Sequence, residues 1–101
     1  MNIEIQKDGN TARLLLNGRF DFNSYQDFNR QADQMMADGS IGQLAVDFEN
    51  VKYIDSSALG MLLLLKERAT SVSKSIQLVN CKGAVYQALK LGNFHRLFTI
   101  Q

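Results

Sequence analysis

Proline and tryptophan are absent from this chain of 101 residues, and cysteine and histidine occur once each, as Cys81 and His95. Each absence excludes something. Without proline, and without a Gly/Ser-rich stretch, no segment reads as a linker, so residues 1–101 are expected to form a single domain. One thiol cannot close an internal disulfide or build a zinc site by itself, which fits a reducing compartment. One histidine leaves a Ser-His-Asp triad only His95 to draw on, and Asp55-Ser56-Ser57 lacks the preceding glycine of a nucleophile elbow. No Walker-type phosphate loop and no dinucleotide fingerprint occurs. The longest apolar run, Met61 to Leu65, is too short to span a bilayer. The start, Met1-Asn2-Ile3-Glu4-Ile5, has neither the basic residues nor the continuous apolar stretch of a signal peptide. An excess of either charge is also lacking: 11 Lys and Arg against 10 Asp and Glu leave a formal +1. That balance gives no footprint for nucleic acid and no pull toward an anionic membrane. The chain is therefore expected to be cytoplasmic, without metal or cofactor, and not an enzyme. Cys81 reads as a small buried apolar residue and His95 as a surface or partly packed one.

What is there is a patterned globular sequence, 46% hydrophobic and 21% charged. Ile3 and Ile5 alternate with polar residues, Asp8-Gly9 marks a turn, and Ala12 to Leu16 reads as a strand buried on both faces, ended by Asn17-Gly18. An amphipathic helix follows, capped by Asn23 or Ser24. Tyr25, Phe28, Ala32, Met35 and Met36 lie on its core face, and Gly39 is its stop. Leu44 to Phe48 make a short buried strand, and a loop through Asn50 leads to Tyr53-Ile54-Asp55. The second helix starts at Ser56 or Ser57 and runs to around Ala69. It is apolar nearly all round, so it must lie between the sheet and another helix, or between the sheet and a partner. Ile76 to Val79 form a strand and Gly83 to Leu91 a helix with Val85, Tyr86, Leu89 and Ala88 on the inward side, stopped by Gly92. Phe94, Leu97, Phe98 and Ile100 close the chain as a turn and a last strand. The order β-β-α-β-α-β-α-β predicts an α/β fold. It should have a mixed sheet of four to five strands, an antiparallel opening hairpin, parallel pairing elsewhere, and three to four helices packed against it.

The informative junction is Tyr53 to Gly60. In parallel α/β sheets, functional sites gather where a strand's C-terminal end leads into a helix. The first helical N–H groups there lack internal partners and favour an anion. Asp55, Ser56 and Ser57 are all preferred helix caps, and one cap is enough, so capping alone explains the residue types but not their number. Gly60, early in the helix, costs about 1 kcal/mol against alanine. It signals close approach by backbone or by a partner, or tight internal packing.

These residues carry a resemblance. Tyr53-Ile54-Asp55-Ser56-Ser57-Ala58-Leu59-Gly60 resembles the signature of bacterial anti-sigma-factor antagonists, the STAS domain family. Gly18-Arg19-Phe20-Asp21 is similar to that family's Gly-x-φ-Asp turn, φ being apolar. Leu91-Gly92-Asn93-Phe94 with Leu97-Phe98 is similar to its C-terminal ending, and the order of elements matches along essentially the whole chain. The resemblance implies a switch. Ser56 would be the phosphate acceptor, with Ser57 second in line. The unphosphorylated protein would bind a GHKL-type serine kinase that is also the anti-sigma factor. The phosphorylated form would release it, and a PP2C-type phosphatase would reset it. Asp21, Asn23, Asp55, Ser56, Ser57 and Gly60 would form the partner surface, and ATP would enter through the kinase. Arg19 departs from the acidic residue often found in the family, which implies a different charge match with the partner. The chain is expected to act as a single copy. Other readings are an adaptor whose output is not a sigma factor, such as biofilm or secretion signalling, and a module of a larger sensory or transport assembly. A small serine hydrolase and a purely structural dimer complete the set.

Overall fold

A computed structural model describes residues 1–101. The opening hairpin joins β1 (Asn2–Asp8) to β2 (Thr11–Phe20) through Gly9 and Asn10, with Gly9 at φ +61, a turn that glycine enters without steric cost. Then follow α1 (Tyr25–Ala37), β3 (Gln43–Ile54), α2 (Ser56–Ser71), β4 (Ser75–Val79), α3 (Gly83–Leu91) and β5 (Thr99–Ile100). Short 3₁₀ turns, Phe22–Ser24 and Phe94–Arg96, precede α1 and β5. The five strands lie in chain order, β1 antiparallel to β2 and all other neighbours parallel. This is the α/β mixed sheet expected, with five strands and three α-helices.

Cross-strand neighbours share a sheet face. Ala12, Leu44 and Ile76 form one such row, and Leu14, Val46 and Leu78 the next. These rows belong to the same core cluster as Phe28 of α1, Leu62 of α2 and Val85 of α3, so all three helices cover one face. The opposite face carries Arg13, Asp47 and Gln77. There Asp47 is buried and ties three strands together. It accepts from Arg13 Nη1 on β2 at 2.7 Å, from Asn80 Nδ2 after β4 at 3.0 Å and from the Glu49 N–H at 2.9 Å. Burial pushes its carboxyl up, but the Asn80, Glu49 and Arg13 bonds outweigh that and hold it below the ordinary Asp value.

Several sequence expectations are corrected. Ala12 to Leu16 is not buried on both faces, for Arg13 is exposed between two buried neighbours. Neither Asn17-Gly18 nor Asn50 breaks a strand. β2 runs on to Phe20 and β3 to Ile54 because register shifts at Leu15/Asn17 and Gly18/Arg19 absorb the mismatch, Gly18 taking φ +105 as a bulge residue. Gly39 is not a left-handed stop. α1 ends with Asp38 in extended geometry, and the buried Lys74 Nζ donates to the Asp38 and Ile41 carbonyls at 2.9 and 2.7 Å, pairing two carbonyls of the loop that follows the helix. Gly92 has φ −82, and the left-handed residue is Asn93. Tyr25 and Tyr86 are exposed rather than inward, since a tyrosine with its polar hydroxyl tolerates the edge of a helix's apolar stripe.

Candidate functional site

β2 and β3 end side by side. Arg19 pairs with Tyr53, Phe20 with Ile54, and the Asp55 N–H donates to the Phe20 carbonyl at 3.3 Å. The turn that starts α1 is thereby placed against the turn that starts α2. This brings the segment holding Asp21 and Asn23 alongside the one holding Asp55 and Ser56.

Both aspartates have structural duties. Asp21 Oδ1 accepts the Asn23 N–H at 3.0 Å, while the Asp21 N–H donates to Ser24 Oγ at 3.2 Å. Ser24 is buried, and its hydroxyl donates onward to the Arg19 carbonyl at 3.0 Å, so this buried hydroxyl is paired both as acceptor and as donor. Ser24 occupies the N-cap position of α1 as expected but makes no side-chain cap bond to that helix; its hydroxyl instead completes a capping box with Asp21, whose carboxylate caps the preceding 3₁₀ turn, and Asn23 caps nothing. At the second turn Asp55 Oδ1 accepts the Ala58 N–H at 2.9 Å and is the N-cap of α2. Capping therefore accounts for one of the three candidates, the aspartate. Ser56 is the first helical residue and is exposed, whereas Ser57 is half-buried.

Gly60 is also half-buried, and a Cβ built there meets no atom within 4 Å. Tight internal packing is thus not its reason, and neither is close approach by this chain's own backbone. Arg19 is the cation of the site. Its Nε lies 3.5 Å from Asp21 Oδ2, and its guanidinium stands 4.1 Å from the centre of the Tyr53 ring.

Sequence reasoning missed the apolar rim. Phe22, 71% exposed, follows Asp21 directly and shares a shallow groove with Tyr25, while the exposed Tyr53 stands at the end of β3 beneath Arg19. The available signal was a phenylalanine inside a capping turn, where neither strand nor helix periodicity gives it a buried place. His95 lies elsewhere, in the turn after α3 beside Tyr86, Lys90 and Ile100. Burial, with the Asp47 charge adding to it, raises the Cys81 thiol to about 11, so it stays protonated and unreactive at neutral pH.

No helix is long and apolar enough to cross a membrane. A family model described as "Mlab, STAS domain" matches residues 3–99. A STAS-domain containing protein of Pseudomonas aeruginosa (strain UCBPP-PA14) is 43% identical over 93 residues, covering 92% of this chain and 90% of that protein. Among solved structures, an anti-sigma factor antagonist from Mycobacterium paratuberculosis superposes with a TM-score of 0.87 at 16% identity, over 98% of this chain and 83% of that one. The anti-sigma factor antagonist SpoIIAA in its unphosphorylated form matches with a TM-score of 0.76 at 16% identity, over 99% of this chain and 87% of that one. Its phosphorylated form, described as a Bacillus cell fate determinant, also gives 0.76, at 15% identity, over 99% and 91%. These matches agree with the paired turns and the five-stranded sheet: the chain belongs to the STAS domain family.

Proposed function

We propose that this chain is a phosphorylation-switched protein-binding regulator of the anti-sigma-factor-antagonist type, with Ser56 as the acceptor. The observation that carries the reading is the exposed Ser56 at the first position of α2, beside an aspartate that already caps the helix. The serine is left with no structural task, and it follows the paired ends of β2 and β3, whose neighbouring turn carries Asp21, Asn23 and the exposed Phe22. Such a mixture suits a protein partner.

The chemistry of the switch follows from the position. A phosphoserine carries about −1.5 to −2 charges and three strong acceptor oxygens. At a helix N-terminus the partial positive charge and free N–H groups accommodate it, so the fold need not change. At an interface the same group must be desolvated, beside Asp21 and Asp55, which repel it. Each 1.4 kcal/mol of that penalty weakens binding about tenfold. The partner is a GHKL-type serine kinase that doubles as anti-sigma factor, and a PP2C-type phosphatase resets the serine.

An affinity capture from cytoplasm with wild type, Ser56→Ala and Ser56→Asp as baits tests this, together with intact-mass analysis of the wild type. Wild type and Ser56→Ala should retain the kinase and Ser56→Asp should lose it, with a phosphate on the wild type. Three identical captures without phosphate would refute the switch. The proteins retained also separate a sigma-factor output from a biofilm or secretion output.

A further inference from the structure

The two edges of the sheet are unlike. β5 is two residues long, too short to template another strand. β1 spans seven residues, contains no proline and pairs with β2 without a register shift, so its outer side is a straight, unguarded row of backbone groups. A hairpin closed by two residues makes Asp8 and Thr11 a hydrogen-bonded pair, and such pairs alternate along the ladder. Asn2, Glu4, Gln6 and Asp8 therefore bond inward to β2. Ile3, Ile5 and Lys7 turn their N–H and C=O groups to the free edge. Of the side chains, Ile5 is 36% exposed on the helix-covered face. The charge that would normally guard such an edge, Lys7, is bound within the chain, to Ser40 and, at 3.6 Å, to Asp38.

We infer that β1 pairs antiparallel with β1 of a second copy, joining two sheets into one ten-stranded sheet about a two-fold axis. An axis normal to the sheet keeps the faces aligned, so facing residues must both be odd or both even, and the charges choose among the registers. Centring on Ile5 sets Ile5 against the partner copy's Ile5, Ile3 against Lys7, Glu4 against Gln6 and Asn2 against Asp8. No like charges meet. Shifting two residues one way puts Glu4 against Glu4, and two the other way puts Glu4 against Asp8, both unfavourable across strands. The Ile5-centred register also brings together the outward backbone groups of Ile3, Ile5 and Lys7. The occupant that fits this edge is thus the same strand inverted, an isologous contact that closes at two copies. It replaces the single copy expected from the sequence and leaves the ends of β2 and β3, where Ser56 sits, uncovered.

Sedimentation equilibrium of the full chain across a wide concentration range tests the inference, with circular dichroism to confirm that variants fold. Wild type should shift from monomer to dimer as concentration rises. Ile5→Lys, outside the core cluster, should stay monomeric with an unchanged spectrum. The register is tested by mild oxidation in a Cys81→Ala background. Ile5→Cys should cross-link to itself, while Ile3→Cys and Lys7→Cys should cross-link only when mixed. A wild type that is monomeric throughout, or a dimer that survives Ile5→Lys and gives no Ile5→Cys cross-link, would overturn it.

Discussion

At the scale of single residues, the site separates a structural carboxylate from a free hydroxyl. Asp55→Ala removes the cap of α2 and is expected to cost about 1 kcal/mol, measured by urea unfolding. Ser56→Ala should leave the midpoint of unfolding unchanged within about 0.5 kcal/mol. Gly60 offers the opposite test. With open space around its missing Cβ, Gly60→Ala should stabilise the fold by up to about 1 kcal/mol through helix propensity. If the glycine is there for a partner, the same variant should bind the captured partner at least tenfold more weakly by titration calorimetry; unchanged binding would remove Gly60 from the interface. The sequence could name this set of residues, since each type is a cap or a helix-weakening residue in an odd place. It could not assign the cap, because Asp, Ser and Ser are near equals until the φ of each is known. Nor could it see that Gly60 faces empty space.

At the scale of elements, α2 shows why an all-round apolar pattern is ambiguous. The sequence requires burial on several sides, and the structure supplies it with the sheet and α1, yet Leu63 and Leu64 remain exposed. Leu62→Ala should cost about 2–5 kcal/mol, because the side chain is fully enclosed. Leu63→Ala, one residue on, should cost less than about 1 kcal/mol by the same denaturant measurement. The boundaries of β2 and β3 were the least legible part. Asn17-Gly18 and Asn50 are turn residues by composition, but long-range pairing between the two strands overrides local preference, and a bulge uses the glycine inside the ladder. Strand identity, helix identity and their order, by contrast, follow from apolar patterning together with the turn and capping residues between the elements.

At the scale of the whole molecule, Asp47 makes stability depend on pH in a defined window. Its folded carboxyl titrates below its ordinary value of 3.8, so the stability it contributes is fully present above that value and is lost as pH falls through the lowered one. Asp47→Asn should therefore be less stable than wild type by a constant margin from neutral pH down to about pH 4, and the gap should narrow below that. Thermal unfolding of both proteins across the acid range checks the sign; a gap that widens on acidification would contradict it.

Strand order in this sheet repeats chain order, from β1 at one margin to β5 at the other. Every new strand can dock on the one made just before it, with only a helix's length of chain between them, so no early segment has to wait for a distant late one. Such a chain is suited to assembly during synthesis, hairpin first and each helix–strand unit in turn. The two-residue β5 and the stacked Phe94 and Phe98 beside it then arrive last, on a layer already formed.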